Sequence, residues 1–182
     1  MFKIISSNQN KINEYKRFGI SNLEVITGKD IREVLGTSEE VIIYKAIEAG
    51  EEVIVEDSIL EIDGFEIVDI KYQLQNLKNY AGKVAKFKVS LGYLQNGVIK
   101  TYSATLKGHI QDVKKPEVCF GFDYCFFPTN SIYSLHELEL QGTVFKDHFS
   151  PRKQAILKLL NNQYDNLHNI EDIKPWNGEY QI

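Results

Sequence analysis

Two long runs that alternate apolar and polar residues, Val84 to Leu94 and Val98 to Leu106, flank the dipeptide Asn96-Gly97. Period-two alternation sets one face of a strand on a core and the other in water. Asn-Gly supplies the left-handed backbone that a tight hairpin turn needs. The pair predicts a long antiparallel hairpin, with Gly108 to Val113 continuing the sheet. The chain before it has a different rhythm. Phe2 to Ser6, Leu23 to Ile26 and Val53 to Val55 are short apolar runs with strand character. Helical patterns lie between them: Asn10 to Phe18, with Ile12, Tyr15 and Phe18 on one face, and Glu39 to Ala49, stopped by Gly50. Alternating strands and helices followed by a meander predict an α/β chain with one elongated mixed sheet and two lobes around a cleft.

Further along, Ile70 to Leu77 predicts a short helix, and Tyr124 to Phe127 a strand ended by Pro128. Ser150-Pro151-Arg152 opens the last strong helix, with Ser150 as N-cap and Pro151 at the first helical position. After Asn161 the tail has little periodicity, although Trp176 marks it as docking somewhere. At 182 residues the chain suits a single domain of two lobes, residues 1–182, with the tail 162–182 of open role. A net charge of −4 gives no electrostatic ground for nucleic-acid binding. No stretch is long and apolar enough for a membrane span, and the apolar run at Met1 to Ser6 is too short for a signal peptide. Cys119 and Cys125 have aromatic neighbours and read as core thiols, which fits a reducing, cytoplasmic setting.

Four clusters carry chemistry. The run Val53-Ile54-Val55 leads into Glu56-Asp57-Ser58. Buried carboxylates must be paired or bound to a cation, and ligands of α/β sheets sit beyond the carboxyl ends of strands. Adjacent strand residues face opposite ways, so Glu56 and Asp57 have separate tasks. Ser6-Ser7-Asn8-Gln9-Asn10-Lys11 joins the first strand to the first helix, where free N–H groups and Lys11 can hold a phosphate; the same residues also read as an ordinary capped helix. Glu33 lies upstream of the helix that carries Lys45, and with Asp57 it supplies the one or two carboxylates that Mg²⁺ takes alongside phosphate oxygens and water. Phe120-Gly121-Phe122-Asp123 offers two rings for a flat base and an acceptor for its edge, or simply an aromatic core strand with a turn cap.

In this order the clusters resemble the inosine triphosphate pyrophosphatase family, over Ile4 to about Leu160. The family's Ser/Thr-x-Asn-x-x-Lys loop is matched by Ser6 to Lys11, its Lys-Ala by Lys45-Ala46 and its acid–Asp–Ser/Thr by Glu56-Asp57-Ser58. Its Phe-Gly-aromatic-Asp is matched by Phe120 to Asp123, and its late Lys and Ser-His-Arg by Lys146 and Ser150-Pro151-Arg152. The resemblance implies a curved mixed sheet with helices on both sides and the site between two lobes. It implies hydrolysis of non-standard purine nucleoside triphosphates (ITP, dITP, XTP) to monophosphate and pyrophosphate, with Mg²⁺, in a homodimer. By that similarity Asp57 is general base and metal ligand, and Glu33 the second metal ligand. Ser6, Asn8, Lys11, Lys45 and Lys71 hold the triphosphate, and Ser58, Phe120, Phe122, Asp123, Lys146 and Arg152 form the nucleoside side.

Three departures bear on the substrate. Pro151 stands where the family has histidine, and proline offers neither an N–H nor a ring nitrogen to a base. The glycine- and proline-rich loop after Asp-Ser is replaced by Ile62 to Lys71, and Tyr124 replaces a proline. The phosphate side matches better than the base side. Pyrophosphohydrolysis with an altered base preference therefore stands beside two alternatives: a pyrophosphatase for another modified or pyrimidine nucleotide, and a nucleotide binder without turnover.

Overall fold

The structure is a computed structural model and describes residues 1–182. In chain order the elements are β1 (Phe2–Ile5), α1 (Gln9–Arg17), β2 (Leu23–Ile26), α2 (Ser38–Ala49), β3 (Val53–Ile62), β4 (Phe65–Ile67) and β5 (Val84–Gln95). They continue with β6 (Val98–Ile110), β7 (Phe126–Pro128), α3 (Leu135–Gln141), α4 (Thr143–Phe149), α5 (Pro151–Leu160) and β8 (Asn166–Asn169). The strands form one mixed, eight-stranded sheet in the order β2-β1-β3-β5-β6-β7, with β4 added to β3 and β8 to β6. The predicted hairpin is β5–β6, and its turn residues Asn96 and Gly97 have φ of 53° and 72°, in the left-handed region. No helix is long and apolar enough to cross a membrane.

The chain divides into two compact units. The first comprises Met1–Ser58, Val89–Ala104 and Arg152–Ile182. In it β1 pairs in parallel with β2 (Phe2↔Leu23 to Ile5↔Ile26) and with β3 (Lys3↔Val53, Ile4↔Ile54). Helix α2 starts at a reciprocal cap: the Thr37 hydroxyl accepts from the Glu40 N–H while the Glu40 carboxylate accepts from the Thr37 N–H. Its Ile42, Ile43 and Ala46 bury against Ile31, Val55, Leu94 and Ile99. Each large aliphatic side chain so buried is worth about 1.5–3 kcal/mol. The tail is not structureless. Strand β8 pairs antiparallel with β6 from Val98↔Asn169 to Thr101↔Asn166, and Tyr180 bridges Val34.

The second unit comprises Ile59–Lys88 and Thr105–Pro151. Here β3 turns back at Asp63-Gly64 to pair with β4 (Leu60↔Ile67, Ile62↔Phe65), and β7 pairs with β6 (Gly108↔Pro128, Ile110↔Phe126). The two backbones meet so closely at Gly108 that a Cβ there would lie 2.3 Å from the Phe127 carbonyl oxygen. Phe87, Phe122 and Phe126 pack edge-on or tilted, with centroids 4.8–6.3 Å apart.

Four local expectations are corrected. Strand β3 does not stop at Val55 but runs to Ile62, so Glu56 and Asp57 sit inside it, between its pairing with β1 and its pairing with β4. Residues 121–125 are turn rather than strand: the Asp123 N–H donates to the Phe120 carbonyl across Gly121, whose φ is +53°. The helix expected over Ile70 to Leu77 is two short 3₁₀ segments, Ile70–Tyr72 and Leu74–Tyr80, separated at Gln73 by a backbone of φ −119°. Helices α3 and α4 come from a stretch in which no element was expected, α3 opening on a Ser134–Glu137 capping box.

Candidate functional site

In the first unit, α1 begins where β1 ends. The Asn8 side chain accepts from the Lys11 N–H (3.2 Å) and the Ser6 hydroxyl accepts from the Asn8 N–H (3.1 Å). Ser6 and Asn8 thus shape the helix entry that carries Lys11. The Lys11 ammonium lies 3.0 Å from Glu56 Oε2 on β3. Lys45, on α2, donates to Glu33 Oε1 (2.5 Å) and to the backbone carbonyl of Glu56 (2.9 Å). A chain of alternating charge follows: Glu33, Lys45, the Glu56 backbone, the Glu56 carboxylate, Lys11. Glu33, Glu56 and Asp57 are all buried, and Ser58 is half-buried. Lys45 therefore ties Glu33 to the Glu56 peptide, whose carbonyl belongs to the bond leading into Asp57.

Arg152, in the first turn of α5, was expected beside the nucleoside. Its guanidinium is buried in a double ion pair, Nε to Glu56 Oε1 (2.5 Å) and Nη1 to Glu14 Oε2 (2.6 Å). Burial alone would push the Glu56 carboxyl up, but Arg152 and then Lys11 hold it below the ordinary glutamate value. Burial would likewise lower Arg152, yet Glu56 and Glu14 raise it further above its usual range. Tyr15, fully buried, is driven well above the usual phenol value by burial and then by the Glu56 charge, so its hydroxyl stays neutral. Glu14 and Tyr15 were missed as members of this cluster. The signal was present: Glu14 lies one helical turn before Phe18, on the apolar face of α1.

In the second unit the Lys146 ammonium lies 2.7 Å from Asp123 Oδ2, 3.7 Å from Glu139 and 4.9 Å above the Phe120 ring. The turn at Gly121 leaves Phe120 half-buried, whereas Phe122 is buried against Phe87 and Phe126. Phe120, Asp123 and Lys146 therefore form one constellation, and the Phe122 ring is part of the core. Lys71 is exposed in the same unit, 5.0 Å from the Tyr72 ring. Pro151 begins α5 and is buried, while His148 is exposed and edge-on to Phe149.

The acidic side chains suit a hard divalent cation only in company with phosphate. No group of three or more His, Cys, Asp or Glu side chains is gathered as a metal cage. Glu33 and Asp57 offer two carboxylates, and Mg²⁺ is commonly held by one or two carboxylates together with substrate phosphates and water.

The model of the Ham1 family matches residues 2–162. A dITP/XTP pyrophosphatase of Hyperthermus butylicus is 28% identical over 137 residues, spanning 66% of this chain and 70% of its own. The Staphylococcus aureus Ham1 protein superposes with a TM-score of 0.66 at 26% identity, covering 90% of this chain and 98% of its own. A HAM1 protein from Coxiella burnetii has the same fold, with a TM-score of 0.65 at 22% identity over 90% of this chain and 98% of its own.

Proposed function

This chain belongs to the Ham1 family and is a nucleoside triphosphate pyrophosphatase, and from that premise we propose that it cleaves non-standard purine nucleoside triphosphates, ITP, dITP and XTP, to the monophosphate and pyrophosphate. The observation that carries the proposal is the grip of Lys45 on both Glu33 and the Glu56 peptide, with Lys11 on the Glu56 carboxylate. Two ammonium groups are thereby held at the stretch of β3 that leads into Asp57, and phosphate binding calls for such cations.

Asp57 is the general base: its carboxylate takes a proton from the attacking water, and the oxygen so activated displaces pyrophosphate from the α-phosphorus. Glu33 and Asp57 would hold Mg²⁺, which would supply charge neutralisation of the phosphates when bound. Lys11 and Lys45, with Ser6 and Asn8 at the entry of α1, bind the phosphates. In an ion pair an ammonium has a ready anionic partner to exchange for phosphate, so Lys45 is held ready rather than searching for its place. Phe120, Asp123 and Lys146 make up the nucleoside side, with the Phe122 ring in the core and Arg152 committed to Glu14 and Glu56. Phe120 supports a base by stacking, and Asp123 accepts from its edge. The enzyme works as a cytoplasmic homodimer.

Pyrophosphate release with Mg²⁺ from ITP, dITP, XTP and the standard nucleotides tests this. Asp57→Asn is expected to lower release by about 10²–10⁴-fold, the usual worth of a general base. Equal release by wild type and Asp57→Asn would remove Asp57 from the mechanism. The buried Pro151 at the start of α5 favours a second substrate reading, a modified or pyrimidine nucleotide. Preference for such a nucleotide over ITP in the same assay would establish it.

A further inference from the structure

The family model stops at residue 162, yet the last twenty residues grip the segment that carries Glu33. Their path is continuous. Strand β8 adds to β6, and His168 Nε2 lies 2.9 Å from Glu39 on α2. Ile170 and Ile173 then pack against the core cluster that contains Ile31, Ile42 and Ile43. The carbonyl of Lys174 accepts from the Tyr44 hydroxyl at 2.6 Å, on the residue next to Lys45. Trp176 meets the Tyr44 ring edge-on, with centroids 5.2 Å apart, and covers Gly36, where an added Cβ would lie 3.0 Å from the indole. Finally the chain pairs with residues 33–35. The Leu35 N–H donates to the Glu179 carbonyl (2.9 Å), the Gln181 N–H to the Glu33 carbonyl (2.9 Å), and the Gln181 side-chain amide to the Val34 carbonyl (3.2 Å). Gln181 is buried, and Arg32 lies 3.8 Å over the Tyr180 ring.

Residues 30–33 have no helix or strand of their own, and Glu33 lies between the buried Ile31 and Val34. The tail fixes it from one side, and the same tail holds α2 at Tyr44, one residue from the lysine that Glu33 must meet. We propose that residues 174–181 are a strap that positions Glu33 opposite Lys45, with Gln181 as the positioning residue that acts through the Glu33 and Val34 backbone. The strap sets how tightly the site holds Mg²⁺ with a polyphosphate, and this rests on the function proposed above. It also makes the tail part of the working site rather than an appendage to the family domain.

The test uses the full chain and, as probe, Mg²⁺ with inorganic pyrophosphate, its Kd measured by calorimetry. Gln181→Met keeps the side-chain size and the backbone clip but removes the amide donor. Partners that orient a metal ligand typically change affinity by about 10–100-fold, so Kd is expected to rise about tenfold while the urea midpoint stays put. Gly36→Ala, whose Cβ would lie 2.9 Å from the Glu40 carboxylate and 3.0 Å from the Trp176 indole, gives a second variant with the same expectation for Kd once its own loss of stability is subtracted. Hydrogen exchange at the amides of Leu35 and Gln181 reports the strap without any ligand, and both should exchange faster together in either variant. If wild type binds the probe and both variants bind it equally well, the positioning role is overturned. Weaker binding that merely tracks lost stability overturns it as well. A wild type that neither binds Mg²⁺–pyrophosphate nor releases pyrophosphate from any nucleotide overturns the functional proposal itself, and the strap's role with it.

Discussion

Arg152→Met removes the guanidinium between Glu14 and Glu56 and leaves two carboxylates in a place with almost no water. The side chains of Arg152, Glu14 and Glu56 are 5%, 4% and 2% exposed. Lys11 stays 3.0 Å from Glu56, whereas Arg17 is 3.9 Å from Glu14 and its side chain is one-third exposed. The lost charge balance therefore falls mainly on Glu14. Breaking a buried ion pair from one side costs about 3–5 kcal/mol, because the remaining charge stays desolvated. Against a total stability of about 5–15 kcal/mol the loss is large but survivable. For a chain of this size, at about 2–4 °C per kcal/mol, Tm should fall by roughly 6–20 °C. Urea unfolding followed by circular dichroism gives the difference directly. Adding Glu14→Gln should restore about 1–3 kcal/mol of it, since neighbours in one network couple by that much. A single-mutant loss below about 1 kcal/mol would show the pair to be solvated and would refute the reasoning from burial. So would a double mutant no more stable than Arg152→Met.

Other outcomes follow from the same geometry. The Glu56 carboxyl is depressed in the folded chain, so its contribution is fully present above the unfolded glutamate value of about 4.3 and fades as pH falls through the folded value. Stability measured between neutral pH and pH 3 should therefore fall less steeply in Glu56→Gln than in wild type; an unchanged slope argues against it. Gly108→Ala forces a Cβ against the Phe127 carbonyl and should cost about 2–3 kcal/mol in urea unfolding. Pro151→His restores a ring nitrogen at the start of α5. It should raise the kcat/KM ratio of ITP over ATP by about tenfold or more if that position reads the base, and leave the ratio alone if it does not.

The hairpin β5–β6 was legible because period-two alternation and Asn-Gly are local signals that agree with each other. The strands β1 and β2 and the helices α1 and α2 were legible for the same reason. The family was legible because its motifs are short, polar and ordered along the chain, and the Ham1 model confirms it. The end of β3 was misplaced because acids usually end strands. Here Glu56 is neutralised by Lys11 and Arg152, residues 45 and 96 positions away, and no local pattern announces such partners. Helices α3 and α4 are seven residues each, too short for a clear apolar stripe; α3 is marked by its Ser134 cap, and Gly142 separates the two. The role of Gln181 was invisible, because it works through backbone carbonyls that any residue at positions 33 and 34 would provide.

Asp57 lies within a ten-residue strand rather than on a loop. A residue in a strand surrendered its backbone freedom when the protein folded, a sacrifice of about 1–2 kcal/mol, and it need not be repeated at each encounter with a nucleotide. In its proposed role of general base, Asp57 is thus a fixed landmark to which each incoming molecule must fit itself. On that proposal, changes of diet among nucleobases would accumulate in turns and helix starts, such as those at Gly121 and Pro151, while the hydrolytic step stays where the sheet put it.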